Sequence, residues 1–432
     1  MSRKTLHLPI DIPIVLYSRE GSQVWRFALQ KRKTLGFFDF FGLRKSLVGL
    51  LGMVVLVEMG EKMAEQFLPI YLLALGGSAL SIGLLSGLDN LLSALYAFPG
   101  GYLSDRIGYK RALVVFNLLA IAGYAIVLLF PTWQAVIIGA ILFISWSAIS
   151  LPAAVSLVSQ ALPANKHTMG ITLHSFVRRV PMALGPIIGG ILITQYGEYE
   201  GIRITFWVAI ILCLASLIIQ QLLIEKREVA PDPIESNVLR IFGSMPLHLR
   251  RLLVSDILVR FCEQIPYAFV VVWALKNVGI SAAEFGILRL IEMATAMLVY
   301  LPVAYLADRS TKRPFVAMTF VFFSAFPLLL LIANSFAMLA LAFVVRGLKE
   351  FGEPTRKALI MDLSPAGKKG SMFGVYYLAR DLIVSLAAFG GAFLWTISPQ
   401  TNFLVAFIFG ILGTLYFLID NPNHKRQTVL VE

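Results

Sequence analysis

Stretches of about twenty mostly apolar residues recur along this chain with only short breaks between them, and that recurrence leaves few folds open. They lie at 46–75, 81–104, 111–130, 134–161, 168–196, 202–224, 250–275, 281–306, 314–334, 336–363, 370–396 and 401–420, and the breaks carry Gly, Pro, Ser or charge. In hydrocarbon every backbone N–H and C=O must be satisfied within the protein, so each stretch is expected to be a helix crossing a bilayer, twelve in all. Composition agrees: 58% of the 432 residues are hydrophobic and 14% are charged, whereas a soluble domain carries about a quarter.

The net charge of +12 does not indicate nucleic acid, because of where the charge falls. Arg3, Lys4, Lys31, Arg32, Lys33, Arg44 and Lys45 precede the first apolar stretch. Arg106–Arg111, Lys166, Lys226–Arg227, Arg309–Arg313, Lys368–Lys369 and Lys425–Arg426 fall in every second connection. The intervening connections, near Gly76–Leu80, Pro131–Gln134, Asn334–Ser335 and Ser398–Thr401, carry no Lys or Arg. Under the positive-inside rule both termini are cytoplasmic. Residues 1–45 show no signal-peptide core and read as a cytoplasmic tail, loose or folded at Gln23–Lys33 into a basic amphipathic helix on the inner leaflet. Residues 225–249, with Pro231, Asp232 and Pro233, read as a cytoplasmic linker between six-helix bundles at 46–224 and 250–420, and 421–432 as a second tail. Cys213 and Cys262 each sit in an apolar run and read as packing residues.

One charged, glycine-bearing connection occurs twice. Gly101-Tyr102-Leu103-Ser104-Asp105-Arg106-Ile107-Gly108-Tyr109-Lys110 returns in degraded form at Ala304-Tyr305-Leu306-Ala307-Asp308-Arg309-Ser310-Thr311-Lys312-Arg313. The matched residues Tyr102/Tyr305, Asp105/Asp308, Arg106/Arg309 and Lys110/Arg313 keep one spacing, and so do Gly83/Gly286, Asp89/Glu292 and Pro99/Pro302 upstream. The chain is therefore a distant internal duplicate. Two bundles related by an axis along the membrane normal would leave a cavity between them at midplane depth.

The stretch Gly101-x-Leu103-x-Asp105-Arg106-x-Gly108-x-Lys110-Arg111 resembles the loop signature of the major facilitator superfamily, between the second and third helices. Gly185-Pro186-Ile187-Ile188-Gly189-Gly190 in the fifth stretch is similar to the Gly-Pro-x-x-Gly-Gly signature of antiporters in that superfamily, with Pro181 where an earlier Gly is usual. Its other reading is helix contact through small residues. The resemblance implies an all-α integral membrane protein of twelve transmembrane helices in two pseudo-symmetric bundles. It further implies a cell membrane location, bacterial inner or plasma membrane, and a cavity lined by the first and seventh helices. It departs from the drug/proton antiporters in the fourth stretch, where their usual Arg is missing; Arg346 stands at the corresponding place in the tenth.

Charges inside the apolar stretches are the candidate site, since a charge at the bilayer centre costs at least about 2.5–3.5 kcal/mol on insertion scales. The first stretch holds Glu58, Glu61, Lys62 and Glu65, with 58, 62 and 65 on one helix face. The seventh repeats the pattern in Asp256, Arg260, Glu263 and Gln264. Each stripe offers an acidic–basic pair at i,i+4, which alone would only make the helix tolerable in lipid. Glu61, Glu65 and Glu263 remain outside such pairs, and Glu65 and Glu263 are the proton-coupling candidates. Burial favours the protonated carboxyl and a nearby cation the ionised one, so arrival of a substrate can tip the balance. Arg178, Arg179, Arg346, Glu350, Arg380 and Asp381 add charge near mid-depth, with Lys349 beside them. Trp146, Tyr267, Trp273, Tyr376 and Tyr377 could give apolar contact or simply pack. Asp89 and Glu292 could line the outer mouth or cap a neighbouring helix. His174 reads as a satisfied polar residue.

These readings lead to a secondary transporter that moves a small polar or amphiphilic, charged organic solute, anionic or zwitterionic, by proton-coupled antiport. A symporter or facilitator importing a charged nutrient is the alternative, and a receptor on the same scaffold a remoter one. Its partners are substrate, protons and membrane lipid, and it works as a monomer without nucleic acid, metal or cofactor. No His-Glu-x-x-His, Gly-x-Ser-x-Gly or Walker sequence occurs, so neither an enzyme nor ATP coupling is expected. Gly101, Asp105, Arg106, Gly108, Lys110, Asp308, Arg309 and Arg313, on the cytoplasmic face, are expected to gate, pairing with helix ends of the other half.

Overall fold

The computed structural model describes residues 45–143, 146, 167–224, 238–308, 311–365 and 369–419. Among them every regular element is helical. In chain order they are α1 (Lys45–Glu65), α2 (Leu68–Ala74), α3 (Ala79–Ile107), α4 (Tyr109–Leu129), α5 (Trp133–Phe143), α6 (His167–Leu223), α7 (Val238–Gly243) and α8 (Leu247–Tyr267). There follow α9 (Phe269–Val272) with a π turn at Trp273–Val278, α10 (Ala282–Asp308), α11 (Arg313–Ile332) and α12 (Phe336–Leu348). A 3₁₀ turn at Lys349–Gly352 leads to α13 (Glu353–Leu363), and α14 (Lys369–Ile397) and α15 (Pro399–Ile419) complete the order.

Among the described residues six helices are long and apolar enough to cross a bilayer, or seven if α8 and the bent Phe269–Val278 segment form one span. Helix α1 falls short because it carries Glu58, Glu61, Lys62 and Glu65, and α5 because its described part is only 11 residues long. Large apolar side chains such as Ile211, Leu222, Leu298, Leu386 and Phe393 point outward, as hydrocarbon contact requires.

Three of the expected continuous spans are broken, each beside a proline whose missing N–H cannot join the helical ladder. The 46–75 stretch breaks at Gln66–Phe67, just before Pro69. The 250–275 stretch breaks at Ala268, after Pro266, with a 41° bend. The 336–363 stretch passes through the 3₁₀ turn ahead of Pro354. Residues 225–237 of the expected linker, and 144–145 and 147–161 of the fourth stretch, lie outside the described residues. The rest of the linker holds the short α7 and the start of α8.

Although α6 is a single 57-residue element, it cannot be one rod. Gly197 has φ 84° and ψ 168°, and a Cβ on Gly201 would lie 2.6 Å from the Cα of Ile193, so the chain doubles back into two antiparallel arms, 167–196 and 198–223. Gly108, at φ 80° and ψ 146°, is a one-residue turn between α3 and α4 in a region of backbone space open essentially to glycine alone. Gly108→Ala is expected to lower stability by about 1–3 kcal/mol, read as a fall in melting temperature of the purified protein.

Taken in chain order, the helices form an N-terminal set, α1–α6, and a C-terminal set, α7–α15. In the first, Tyr124 stacks on Phe143 at 4.7 Å and both meet Phe206. In the second, Leu249, Leu252, Val316, Phe320, Ile360 and Met372 form a buried cluster. Cys213 and Cys262 are buried free thiols. The sets touch through α3 with α14, α6 with α10, and α2 with α9. These seams run through glycine: a Cβ on Gly83 would lie 2.3 Å from Ala392 Cβ, and one on Gly190 2.3 Å from the Ala282 carbonyl oxygen. Thr194 accepts a hydrogen bond from the Ala283 N–H at 3.1 Å, and Lys276 pairs with Glu198 at 2.6 Å near the Gly197 turn.

Candidate functional site

Helix α1 carries its charged stripe on the face that α6 covers. Glu58, 1% exposed, is held by Arg178 of the first α6 arm. Lys62 binds Glu61 at 3.0 Å and also Glu65 on the next turn. The i,i+4 pairing of Glu58 with Lys62 expected from sequence thus gives way to a cross-helix pair and a lysine shared by two acids. Arg179 turns the other way and reaches Glu350 in the C-terminal set at 3.9 Å.

The C-terminal set holds a larger network. Asp256, 1% exposed, is bound by Arg356, which is equally buried, and by the Tyr376 hydroxyl at 3.1 Å; Arg380 stands 3.5 Å away. Arg260 is only 3.9 Å from Asp256 and prefers Glu263 at 2.7 Å and Glu353 at 3.3 Å. Lys349 binds Glu263 at 2.6 Å and lies 3.7 Å from Glu292. Glu292 also takes Arg289 on its own helix and Arg346 at 3.3 Å. Arg380 binds its neighbour Asp381 at 2.7 Å. Glu65 and Glu263 therefore do have basic partners, on the preceding turn, where a search restricted to i,i+4 does not look.

Between the sets lies a cavity to whose lining both contribute. Its N-terminal wall is Glu65, Gln66, Pro69, Leu85 and Asp89, and its C-terminal wall Tyr267, Val270, Val271, Phe285 and Arg346. Both helix breaks, at Gln66–Phe67 and at Ala268, fall on this lining, so the cavity exists where α1 and α8 bend. Tyr267 thus joins the site. Trp273 packs edge-on against Phe403, Trp146 is buried, and Tyr377 lies under Arg380 at 4.2 Å.

The Gly-Pro-x-x-Gly-Gly stretch does two jobs of contact. Gly185 and Gly189 lie against the backbone of Lys62 and Met63, letting the first α6 arm close on the charged stripe, while Gly190 meets α10. Pro186 carries the carbonyl that faces Gly286.

Of the residues expected to gate, the side chains of Asp105, Arg106, Asp308 and Arg309 lie outside the described residues, as does the Gly101 environment. Among the described residues, Lys110 is tied to its own half. It donates to the Gln221 and Ile224 carbonyls at 3.1 and 2.5 Å, at the end of α6 in its own set. Its counterpart Arg313 donates to the Phe417 carbonyl at 2.9 Å near the end of α15. A cation at a helix C-terminus satisfies orphan carbonyls and opposes the negative end of the dipole.

Arg289, Glu353 and Arg356 were missed as site residues, although they lie inside expected apolar stretches and the charge criterion alone would have found them. Among the described residues no cluster of three His, Cys, Asp or Glu forms a metal site.

Comparison with known proteins bears on the family and the fold. The sequence profile of the Major Facilitator Superfamily matches residues 50–262 and 252–432. The inner membrane transport protein YajR of Escherichia coli K12 is 26% identical over 372 residues, covering 82% of this chain and 78% of YajR. The quinolone resistance protein NorA of Staphylococcus aureus is 24% identical over 155 residues, covering 36% of this chain and 40% of NorA. A POT family transporter crystallised with 5-aminolevulinic acid superposes with a TM-score of 0.75 at 14% identity, covering 90% of this chain and 98% of the other.

Proposed function

Because the chain belongs to the Major Facilitator Superfamily, and is thus a transporter of the plasma membrane and not an enzyme, we propose that it exports a charged, amphiphilic organic solute by proton-coupled antiport. In this reading all twelve apolar stretches span the bilayer as bundles at 46–224 and 250–420, with the tails and the 225–249 linker in the cytoplasm. The bundles rock about the cavity in alternating access.

One observation carries the coupling. In the N-terminal set the carboxylates Glu58, Glu61, Glu65 and Asp89 gather around the cations Lys62 and Arg178, and Glu65 and Asp89 reach the cavity wall. Such a surplus of negative charge in low dielectric is relieved by binding a proton or a positive ligand, and exchange of one for the other is antiport. Glu65, on the cavity wall and sharing Lys62 with Glu61, is the proton carrier in this scheme. Glu263, clasped by Arg260 and Lys349, is the weaker candidate. The glycine seam along α6 and the likeness to NorA favour export.

Everted membrane vesicles acidified inside by respiration test the direction. Solute added outside should accumulate in the lumen as protons leave, seen as recovery of acridine fluorescence. Expulsion of preloaded solute together with protons would instead identify an importing symporter. Glu65→Gln is expected to abolish accumulation driven by the gradient while leaving solute exchange between equal compartments; unchanged accumulation would remove Glu65 from the coupling role.

A further inference from the structure

The cavity contains one carboxylate that the protein itself leaves unanswered. Each interior carboxylate named above has a Lys or Arg nitrogen within 4.0 Å, with the exception of Asp89. Among the described residues Asp89 has no ion pair, and its named hydrogen-bond partner is Ser93, one turn along its own helix. The contrast with its repeat counterpart is direct. Glu292, at the matching position of α10, is clasped by Arg289, Arg346 and Lys349.

Asp89 lies ten residues into α3, about 15 Å from its start, far from either end of a bilayer core of about 30 Å. The groups facing the same space do not neutralise it. Glu65 is acidic, Gln66 and Tyr267 are neutral, and Lys62 is spent on Glu61 and Glu65. Among the described residues that line it, the one cation, Arg346, is committed to Glu292 and lies over the rings of Tyr267, Phe326 and Phe343. The interior cations thus have acids of their own, so their presence no longer argues for an anionic substrate.

We infer that Asp89 is the docking carboxylate of the inter-bundle cavity and that its ligand is an organic monocation with a bulky apolar body. The positive centre sits against Asp89, and the body lies on Pro69, Leu85, Val271 and Phe285 across the gap. This rests on and deepens the transport reading, naming the chemical class of its solute.

Two ions of one shape and opposite charge test it: tetraphenylphosphonium and tetraphenylborate, titrated onto the full-length protein in nanodiscs against empty nanodiscs. The phosphonium should bind and the borate should not. Asp89→Asn should weaken phosphonium binding at least about tenfold, the scale of a lost buried charge contact, while Asp89→Glu keeps most of it and both variants melt near the parent temperature. Equal or tighter borate binding, full phosphonium affinity in Asp89→Asn, or binding of neither ion would overturn the assignment. No proton gradient is present, so the outcome is separate from that of the antiport test. A phosphonium site lost in Asp89→Asn but idle in acidified vesicles would keep the docking residue and remove the coupling.

Discussion

Replacing Gly190 with valine should part the two helix sets at the Gly197 end while leaving each set folded. The expectation follows from what a side chain there would meet. A Cβ at Gly190 lies 2.3 Å from the Ala282 carbonyl oxygen and 3.0 Å from the Ala283 Cα, backbone atoms of α10 that cannot rotate away as a side chain tip can. The clash is relieved only by separating α6 from α10, which also releases the Thr194–Ala283 hydrogen bond. Spin labels at Leu80 and Ile397, both exposed and on opposite sets near the Gly83–Ala392 contact, report that separation once Cys213 and Cys262 are replaced. The variant should show a longer distance population and little transport. Gly189→Val is the contrasting case. Its Cβ would lie 2.0 Å from the Met63 carbonyl oxygen within the same set, so it should lower the melting temperature without lengthening the distance between labels. Equal distances in the parent and the Gly190 variant would mean that the seam is not what holds this end closed.

Arg356→Met should be the most damaging single change in the C-terminal set. The side chain is 1% exposed and donates to Asp256, to both carboxylate oxygens of Glu353 at 2.7 and 3.0 Å, and to the Tyr377 hydroxyl at 3.3 Å. Removing it leaves two buried carboxylates short of their main partner, a loss of about 3–5 kcal/mol that a thermal melt in nanodiscs would register. The Asp256→Asn/Arg356→Met double variant should fall less than the two singles combined, because the second change removes one of the orphaned charges. Arg356→Lys should rescue little, since a single ammonium cannot span Asp256 and Glu353 as a planar fork does. A lysine variant as stable as the parent would show that charge alone is enough.

Much of the architecture can be read from residue order. The apolar stretches locate α3, α4, α10, α11, α14 and α15 to within a few residues, because lipid leaves the backbone no alternative to the helix. The breaks at Pro69, Pro266 and Pro354 were visible as prolines, but which of the chain's prolines break a helix depends on what fills the gap. Pro181 and Pro186 sit inside α6 without ending it. The site was legible as a set of charges and illegible as a set of pairs. Glu58 meets Arg178 across 120 positions and Asp256 meets Arg356 across 100, contacts that follow from helix packing and not from spacing. For the same reason Asp89 drew little attention. Nothing in its neighbourhood along the chain says that it lacks a partner, and only the placement of every other cation reveals it.

The symmetric clasps at Lys110 and Arg313 have a mechanical meaning. Each fastens the start of its set's third long helix to the close of that set's last one, through carbonyls that have no other helical partner. Gln220 returns the tie by donating to the Lys110 carbonyl at 2.7 Å. Each set is thereby buckled upon itself, whereas between the sets the glycine seams add close van der Waals contact to a few polar ties, among them Thr194–Ala283, Lys276–Glu198 and Arg179–Glu350. Two shells fastened in this way can part by loosening the ties between them, with the bonds that stiffen each shell left whole.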